Sequence, residues 1–459
     1  MMFVEPIKSP GLAQLSYLIG DGSEAAVIDP RRDCEIYAEM ARQRGCRITH
    51  IFETHRNEDL ISGAPILAEL TGAAVHHGPN AAGEVTYADT VREGDDFSFG
   101  SMLLKVLETP GHTDDSLSFA IYDQDFGNQA IGVFSGDALF VGDVGRTDFY
   151  PDRKEEVAGL LYDSLQKILS LGDQTILYPA HGAGSVCGDN MADRDFSTLG
   201  YERVNNPMLL ITDREKFIAR KVAEHHEQPP YFHNMEQLNL DGSAPAARVV
   251  TPPVLDADDV HRLIEKAEVI DVRSASAYQG AHLPGSLAIP CDMLPAFAGW
   301  YLDATDEIIL VADGSAQAES AARHLARIGY DRVLGFLNTA MPGWAAAGRP
   351  FGSVPVVDVD TVKTRVHDGG DGWQLLDVRG KKEVAEGVIP TARCIYVGHL
   401  PEQLEKLAKD KHYTVMCASG ARATIAASIL RRTGFDKVDI FLGSMGAWKA
   451  KGNDVASGD

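Results

Sequence analysis

Short apolar runs broken by turn residues mark the first 120 positions of the chain. Gln14 to Leu18, Ala25 to Ile28, Ile48 to Phe52, Leu103 to Leu107 and Leu117 to Ile121 predict strands. Between them, Asp33 to Arg44 and Ala64 to Leu70 place their apolar residues at helical spacing. A further helical pattern over Leu160 to Leu171 leads into a strand at Thr175 to Tyr178. Strands and helices in this order suit layered α/β packing. From Pro229 to Pro253 the composition shifts, with PPYF, DGSAPAA and TPP predicting a connector, and a shorter break lies at Arg349 to Pro355.

The C-terminal half repeats itself. Ile308-Ile-Leu-Val-Ala-Asp-Gly-Ser aligns with Tyr413-Thr-Val-Met-Cys-Ala-Ser-Gly, and Ile328-Gly-Tyr-Asp with Thr433-Gly-Phe-Asp, at a constant offset of 105 residues. Upstream, Val269-Ile-Asp-Val-Arg273 matches Leu375-Leu-Asp-Val-Arg379 with one residue of slippage. A doubled unit of strand, DVR, strand, tight loop and helix resembles tandem rhodanese domains over roughly 200 residues. The boundaries read from sequence are 1–240, 250–350 and 355–455.

Composition narrows the partners. The 459 residues suffice for about three domains, and 44% apolar residues make buried cores feasible. A formal charge of −24 argues against nucleic acid or an anionic membrane as partner. An anionic substrate therefore needs a local positive site, a metal or an arginine. The N-terminus reads as neither a signal peptide nor a membrane span, and the six cysteines (34, 46, 187, 291, 394, 417) have no paired spacing. The expectation is reduced thiols in the cytoplasm.

The two repeats differ where chemistry would occur. The second reads Cys417-Ala-Ser-Gly-Ala-Arg422, a cysteine at a strand end whose loop runs directly into a helix. Backbone N–H groups of such a loop stabilise a thiolate or persulfide. Gly420 permits the sharp turn, and Arg422 suits a sulfite or thiosulfate oxygen. The rhodanese resemblance implies Cys417 as the sulfur carrier. In the first copy Ala312 replaces the cysteine and Gln317 the arginine, which implies packing or docking.

Four segments of the N-terminal region carry the remaining chemistry. They are Thr54-His55-Arg56-Asn57-Glu58-Asp59-Leu60, Thr109-Pro-Gly-His112, Phe134-Ser-Gly-Asp137-Ala-Leu and Tyr178-Pro-Ala-His181-Gly. They resemble the metallo-β-lactamase superfamily, whose THxHxDH loop appears here with Asn57 and Leu60 in place of two histidines. Asp137-Ala-Leu and Gly145-Arg-Thr-Asp-Phe149 resemble persulfide dioxygenases of the ethylmalonic-encephalopathy-protein type most closely. That resemblance implies an αββα sandwich followed by two α/β rhodanese-like domains with parallel sheets. It also implies one Fe(II) per chain, held by His55, His112 and Asp137. Two histidines and one carboxylate suit non-haem Fe(II), and zinc accepts the same ligand types.

Asp59, Asn57 and His181 are expected beside the ligands, orienting them or the substrate. Arg146 is read either as the receptor of a thiol substrate's carboxylate or as an ion-pair partner of Asp143 or Asp148. Cys187, in the Gly-rich loop after His181, is read as a persulfide relay or a small packed residue. His76 and His77 are expected to serve structure. The implied activity is dioxygenation of a low-molecular-weight thiol persulfide, glutathione persulfide in the family, to sulfite and thiol. Sulfur transfer between thiosulfate and thiol through Cys417 accompanies it, and the default assembly is a homo-oligomer, dimer or tetramer. The alternatives are a zinc thioester hydrolase of the glyoxalase II type, and a sulfurtransferase with a retired N-terminal domain.

Overall fold

The computed structural model describes residues 1–79, 83, 85–185, 188, 191–224, 226–242 and 251–458. The chain divides into two compact units, Met1–Arg248 with Ala326–Gly329, and Val249–Leu325 with Tyr330–Asp459.

In the first unit the continuous apolar runs sort by strand period. Tyr17, Ile19, Ala26 and Ile28 point into one buried cluster, while Leu18, Ala25 and Val27 point into another. Successive side chains of a strand face opposite sides, so a strand covered on both faces reads as unbroken hydrophobicity. One sheet orders its strands Phe3–Ser9, Gln14–Asp21, Glu24–Ile28, Arg47–Phe52, Ala74–His77, Asp89–Thr90. The other orders them Ser197–Thr198, Ile176–Pro179, Ala130–Gly136, Leu117–Asp123, Met102–Glu108, Asp96–Phe99. Phe52, Phe119 and Phe134 meet between the sheets, each essentially inaccessible. Burying an aromatic of this size contributes roughly 1.5–3 kcal/mol. Helices Glu35–Gln43 and Ala64–Thr71 cover the outer face of the first sheet through Tyr37, Ala41 and Leu67. Lys154–Leu169 and Arg214–Val222 cover the second through Leu161, Leu165, Ile168 and Phe217. The result is the αββα sandwich.

The stretch expected as a connector is partly structured. Phe232–Asp241 is a helix of the first unit with Phe232, Met235 and Asn239 buried. Its polar composition hid it, because its apolar positions are few. Positions 243–250 of the same stretch lie outside the described residues.

The second unit holds two five-stranded sheets. One runs Val254–Leu255, Val333–Leu337, Ile308–Val311, Glu268–Asp271, Leu287–Ala288, and the other Val356–Val357, Val438–Phe441, His412–Met416, Trp373–Asp377, Arg393–Cys394. Every pairing is parallel, and corresponding strands of the repeat hold corresponding places. Among the described residues no helix is long and apolar enough to cross a membrane.

His76 sits in strand Ala74–His77, with His50 Nδ1 2.8 Å from its Nε2 and the Phe52 and Phe97 rings around it. Burial, reinforced by His50, pushes its pKa down to about 4. The folded state therefore holds the ring neutral, and that contribution is full above pH 6.5 and lost as pH falls through 4. We expect the thermal midpoint to fall across this window. His76→Phe lacks this titration, so the wild-type-minus-variant difference in stability should shrink by on the order of 1 kcal/mol as pH falls from 6.5 to 4, read in melts at successive pH values.

A metal-ligand cluster and a cysteine loop

Each candidate ligand stands just beyond a strand. His55 follows Arg47–Phe52, Asp137 follows Ala130–Gly136, and His181 follows Ile176–Pro179. His112 follows Met102–Glu108 through Thr109-Pro-Gly. Rigid strands thereby aim loop side chains at one point. The approach is close enough to demand glycine at position 145, where a Cβ would lie 2.0 Å from the Asp137 carbonyl oxygen.

His55, His112 and Asp137 converge. Asp137 Oδ2 is 3.5 Å from His112 Nε2 and 3.8 Å from His55 Nε2, and all three residues are buried. His112 Nε2 and Asp137 Oδ2 are buried without a hydrogen-bond partner. Leaving such atoms unpaired costs about 1–3 kcal/mol each, and a cation between them removes that cost. The residues therefore fit a metal ion.

Outer contacts decide how the rings present themselves. His112 Nδ1 lies 3.0 Å from the Arg146 carbonyl oxygen, which only accepts, so Nδ1 carries the proton and Nε2 offers its lone pair. On the other side, Asp29 accepts from Thr54 N–H (2.7 Å) and Thr54 Oγ1 (2.9 Å). The Thr54 hydroxyl, its one proton so committed, accepts from His55 Nδ1 at 2.8 Å, and His55 Nε2 faces Asp137. Burial lowers the His55 pKa and pushes that of His112 down to about 4. Both rings are then neutral, as ligation requires.

Where a second ion would need ligands, positions 57 and 60 offer no histidine. Leu60 is buried and apolar, and the Asn57 side chain turns back toward the His55 carbonyl at 3.4 Å. His181 sits between two carboxylates, Nδ1 2.7 Å from Asp137 Oδ1 and Nε2 3.2 Å from Asp59 Oδ2. Burial opposes its charge, but Asp137 and Asp59 outweigh that and raise its pKa well above the ordinary histidine value.

Arg146 forms an ion pair with Asp148. It is buried, its Nε and Nη2 reach Asp148 at 2.6 and 2.8 Å, and its guanidinium lies over Phe149. Its backbone carbonyl holds His112. Cys187 lies outside the described residues.

Three contributors were not marked by the sequence: Glu58, Asn239 and Tyr231. Glu58 stands in the same pocket, its Oε2 3.9 Å from His112 Nε2, and with His55 and His112 it forms a second possible ligand triad. Its acidic side chain was visible within the motif, but nothing in the spacing says that it turns inward. Asn239, from the helix in the supposed connector, donates to the carbonyls of Asn57 (2.7 Å) and Leu60 (2.8 Å) and accepts from Ser62 N–H. Tyr231 donates to the Asp59 carbonyl at 3.0 Å. No local signal marks these straps, which join positions about 180 residues apart. Asn239→Ala leaves three buried backbone groups unpaired, and we expect a loss of about 2–3 kcal/mol in urea unfolding together with weaker metal binding.

In the second unit Cys417 follows strand His412–Met416 and is buried. Its Sγ accepts from Gly420 N–H at 3.1 Å, and Gly420, at φ +126°, turns the chain into helix Ala421–Arg432. The carbonyls of Cys417, Ala418 and Ser419 are tied to the N–H groups of Met445, Gly446 and Gly443. That pinning leaves the loop in one shape. Arg422 is committed to Glu383 through two bonds of 2.6 and 2.7 Å, so an incoming anion meets a guanidinium already paired. In the first copy Ala312 occupies the cysteine's place after Ile308–Val311, and Gln317 Oε1 caps Asp313 N–H. That copy instead braces the active helix: Gln279 donates to Thr424 Oγ1, Ser428 Oγ accepts from Ala288 N–H, and Glu268 pairs with Arg432.

The fold and these two sites define a metallo-β-lactamase-fold protein joined to rhodanese-like domains. The metallo-beta-lactamase superfamily model matches residues 9–181, and the rhodanese-like domain model matches 256–347 and 358–451. Persulfide dioxygenase ETHE1, mitochondrial, of Mus musculus is 30% identical over 256 residues, 53% of this chain and 88% of that protein. The hydroxyacylglutathione hydrolase of Rhizobium etli is 32% identical over 213 residues, 41% of this chain and 78% of that protein. A crystal structure of a metallo-beta-lactamase from Staphylococcus aureus subsp. aureus COL superposes with a TM-score of 0.66 at 33% identity, covering 73% of this chain and 98% of that one. The chain belongs to the metallo-β-lactamase superfamily, with homology to ETHE1 persulfide dioxygenases, and continues into two rhodanese-like domains.

Proposed function

We propose that the chain oxidises a low-molecular-weight thiol persulfide, glutathione persulfide in the first instance, to sulfite and thiol with one iron. We further propose that Cys417 moves sulfane sulfur between thiosulfate and a thiol. The observation that carries the first part is the buried convergence of His55, His112 and Asp137, with unpartnered atoms, in a loop that has Asn57 and Leu60 where a second ion would need histidines. His55, His112 and Asp137 would hold the ion. When bound, Fe(II) supplies a Lewis-acidic centre with open positions for an anionic sulfur and for dioxygen.

The chain's own residues do the rest. The Arg146 carbonyl and the Thr54–Asp29 pair keep both histidines in the ligating tautomer. His181, between Asp137 and Asp59, fixes the Asp137 carboxylate and holds a proton at its Nε2 facing Asp59. Phe149 packs edge-on against His112 and supports its ring. In the second unit the Cys417 thiolate attacks the outer sulfur of thiosulfate. The new S–S bond forms as the sulfur–sulfur bond of thiosulfate breaks, and sulfite leaves with the electron pair. A thiol then takes the sulfane sulfur as its persulfide.

A zinc thioester hydrolase is the second reading, favoured by the 32% identity to hydroxyacylglutathione hydrolase. Oxygen consumption separates the two. Anaerobically purified, iron-loaded protein given glutathione persulfide should take up oxygen in proportion to its iron content. Hydrolysis of S-lactoylglutathione without such uptake would overturn the dioxygenase reading.

A further inference from the structure

Glu58 lies in the motif loop yet does not behave as a solvated loop acid. It is 8% exposed, and its Oε2 is 3.9 Å from His112 Nε2, an atom without a hydrogen-bond partner. The bland alternative is an ion pair with Arg56. That contact is 3.7 Å, and Arg56 Nη2 also reaches Glu236 at 3.2 Å, so the guanidinium is shared and not held by Glu58 alone.

We propose that Glu58 is a fourth protein ligand of the metal, a carboxylate joining His55, His112 and Asp137. The proposal rests on the single-metal reading above. Donor atoms that share one ion at 2.0–2.2 Å lie about 3.0–3.5 Å apart at adjacent positions. The observed separations of 3.5, 3.8 and 3.9 Å among His112, His55, Asp137 and Glu58 are slightly wider than this and close onto an ion by small side-chain adjustments. One ligand atom each of His55, Glu58 and His112 also falls within 4.8 Å of the others. Two carboxylates balance a dication, whereas one leaves a net positive centre. A site with Glu58 engaged therefore discriminates less strongly in favour of anions and holds its metal more tightly. Of the six positions that Fe(II) prefers, two remain, enough for a persulfide sulfur and dioxygen.

The test uses the full chain in the metal-free state, titrated anaerobically with Co(II) against a chelator. Affinity and the visible cobalt spectrum are both read. Wild type, Glu58→Gln, Glu58→Asp and His112→Ala are compared, with circular dichroism confirming that each is folded. We expect Glu58→Gln to weaken Co(II) binding about tenfold or more and to change the band pattern, with Glu58→Asp between it and wild type. Azide, an anionic probe, should bind the Glu58→Gln cobalt protein more tightly than wild type. An unchanged affinity and spectrum in Glu58→Gln, with metal lost in His112→Ala, would overturn this proposal and leave the site standing. Metal retained in His112→Ala as well would overturn the site itself. If Glu58→Gln fails to fold, Glu58→Asp carries the same comparison.

Discussion

His112→Ala should reduce oxygen uptake with glutathione persulfide to background, a fall of roughly 10³-fold or more, and should lower bound iron in parallel. Loss of an outer partner of a metal ligand typically costs about 10–100-fold, and His112 is placed to be the ligand itself. It reaches the cluster fully buried, with Nδ1 fixed on the Arg146 carbonyl and Nε2 left without a partner. Alanine at this position removes one metal donor and leaves the Arg146 carbonyl without its His112 partner, so adding iron does not restore the site. Thiosulfate sulfurtransfer should be untouched, because Cys417 belongs to the other unit. The measurement is paired oxygen-electrode and iron assays on one preparation. Full uptake in the variant, with iron still bound, would reject His112 as a ligand.

Cys417→Ser should give the mirror result. Sulfur transfer from thiosulfate should fall by about 10³-fold or more, because a serine hydroxyl is scarcely ionised near neutral pH and forms no persulfide. The fold should survive, since serine is nearly isosteric and Gly420 N–H retains an acceptor in reach. Oxygen uptake with glutathione persulfide supplied directly should be unchanged. Uptake fed by thiosulfate and glutathione should disappear, which would link the two activities. If instead thiosulfate-dependent transfer persists in this variant, another cysteine is the carrier. Arg422→Ala should have a smaller effect than Cys417→Ser, because Glu383 already occupies the guanidinium and the loop N–H groups remain.

The sandwich and the paired parallel sheets were legible because their cause is local. Strand Glu24–Ile28 buries both faces beyond its first residue, so Ala25 to Ile28 is uniformly apolar, and the repeat at Ile308 and Tyr413 preserves the same strand, loop and helix. Edge strands Phe3–Ser9 and Asp96–Phe99 were missed, since each leaves much of one face open and its apolar signal is weak. His55, His112 and Asp137 were readable from motifs, and the structure brings their side chains to one point. Arg146 was readable as an arginine near the site, but its partner was not, because the choice between substrate and Asp148 depends on burial.

What the sequence determined by itself is what short-range chemistry encodes. A donor type, its place past a strand, the period of burial and the absence of histidines at 57 and 60 all lie within a few residues. The tertiary structure alone decided which long-range partners those groups take. Asn239 strapping Asn57 and Leu60, His181 spanning Asp59 and Asp137, Glu383 holding Arg422, and Glu58 turned toward His112 are all contacts of this kind. Their energies come from desolvation and hydrogen bonding inside a packed interior, and that interior exists only once distant segments have met.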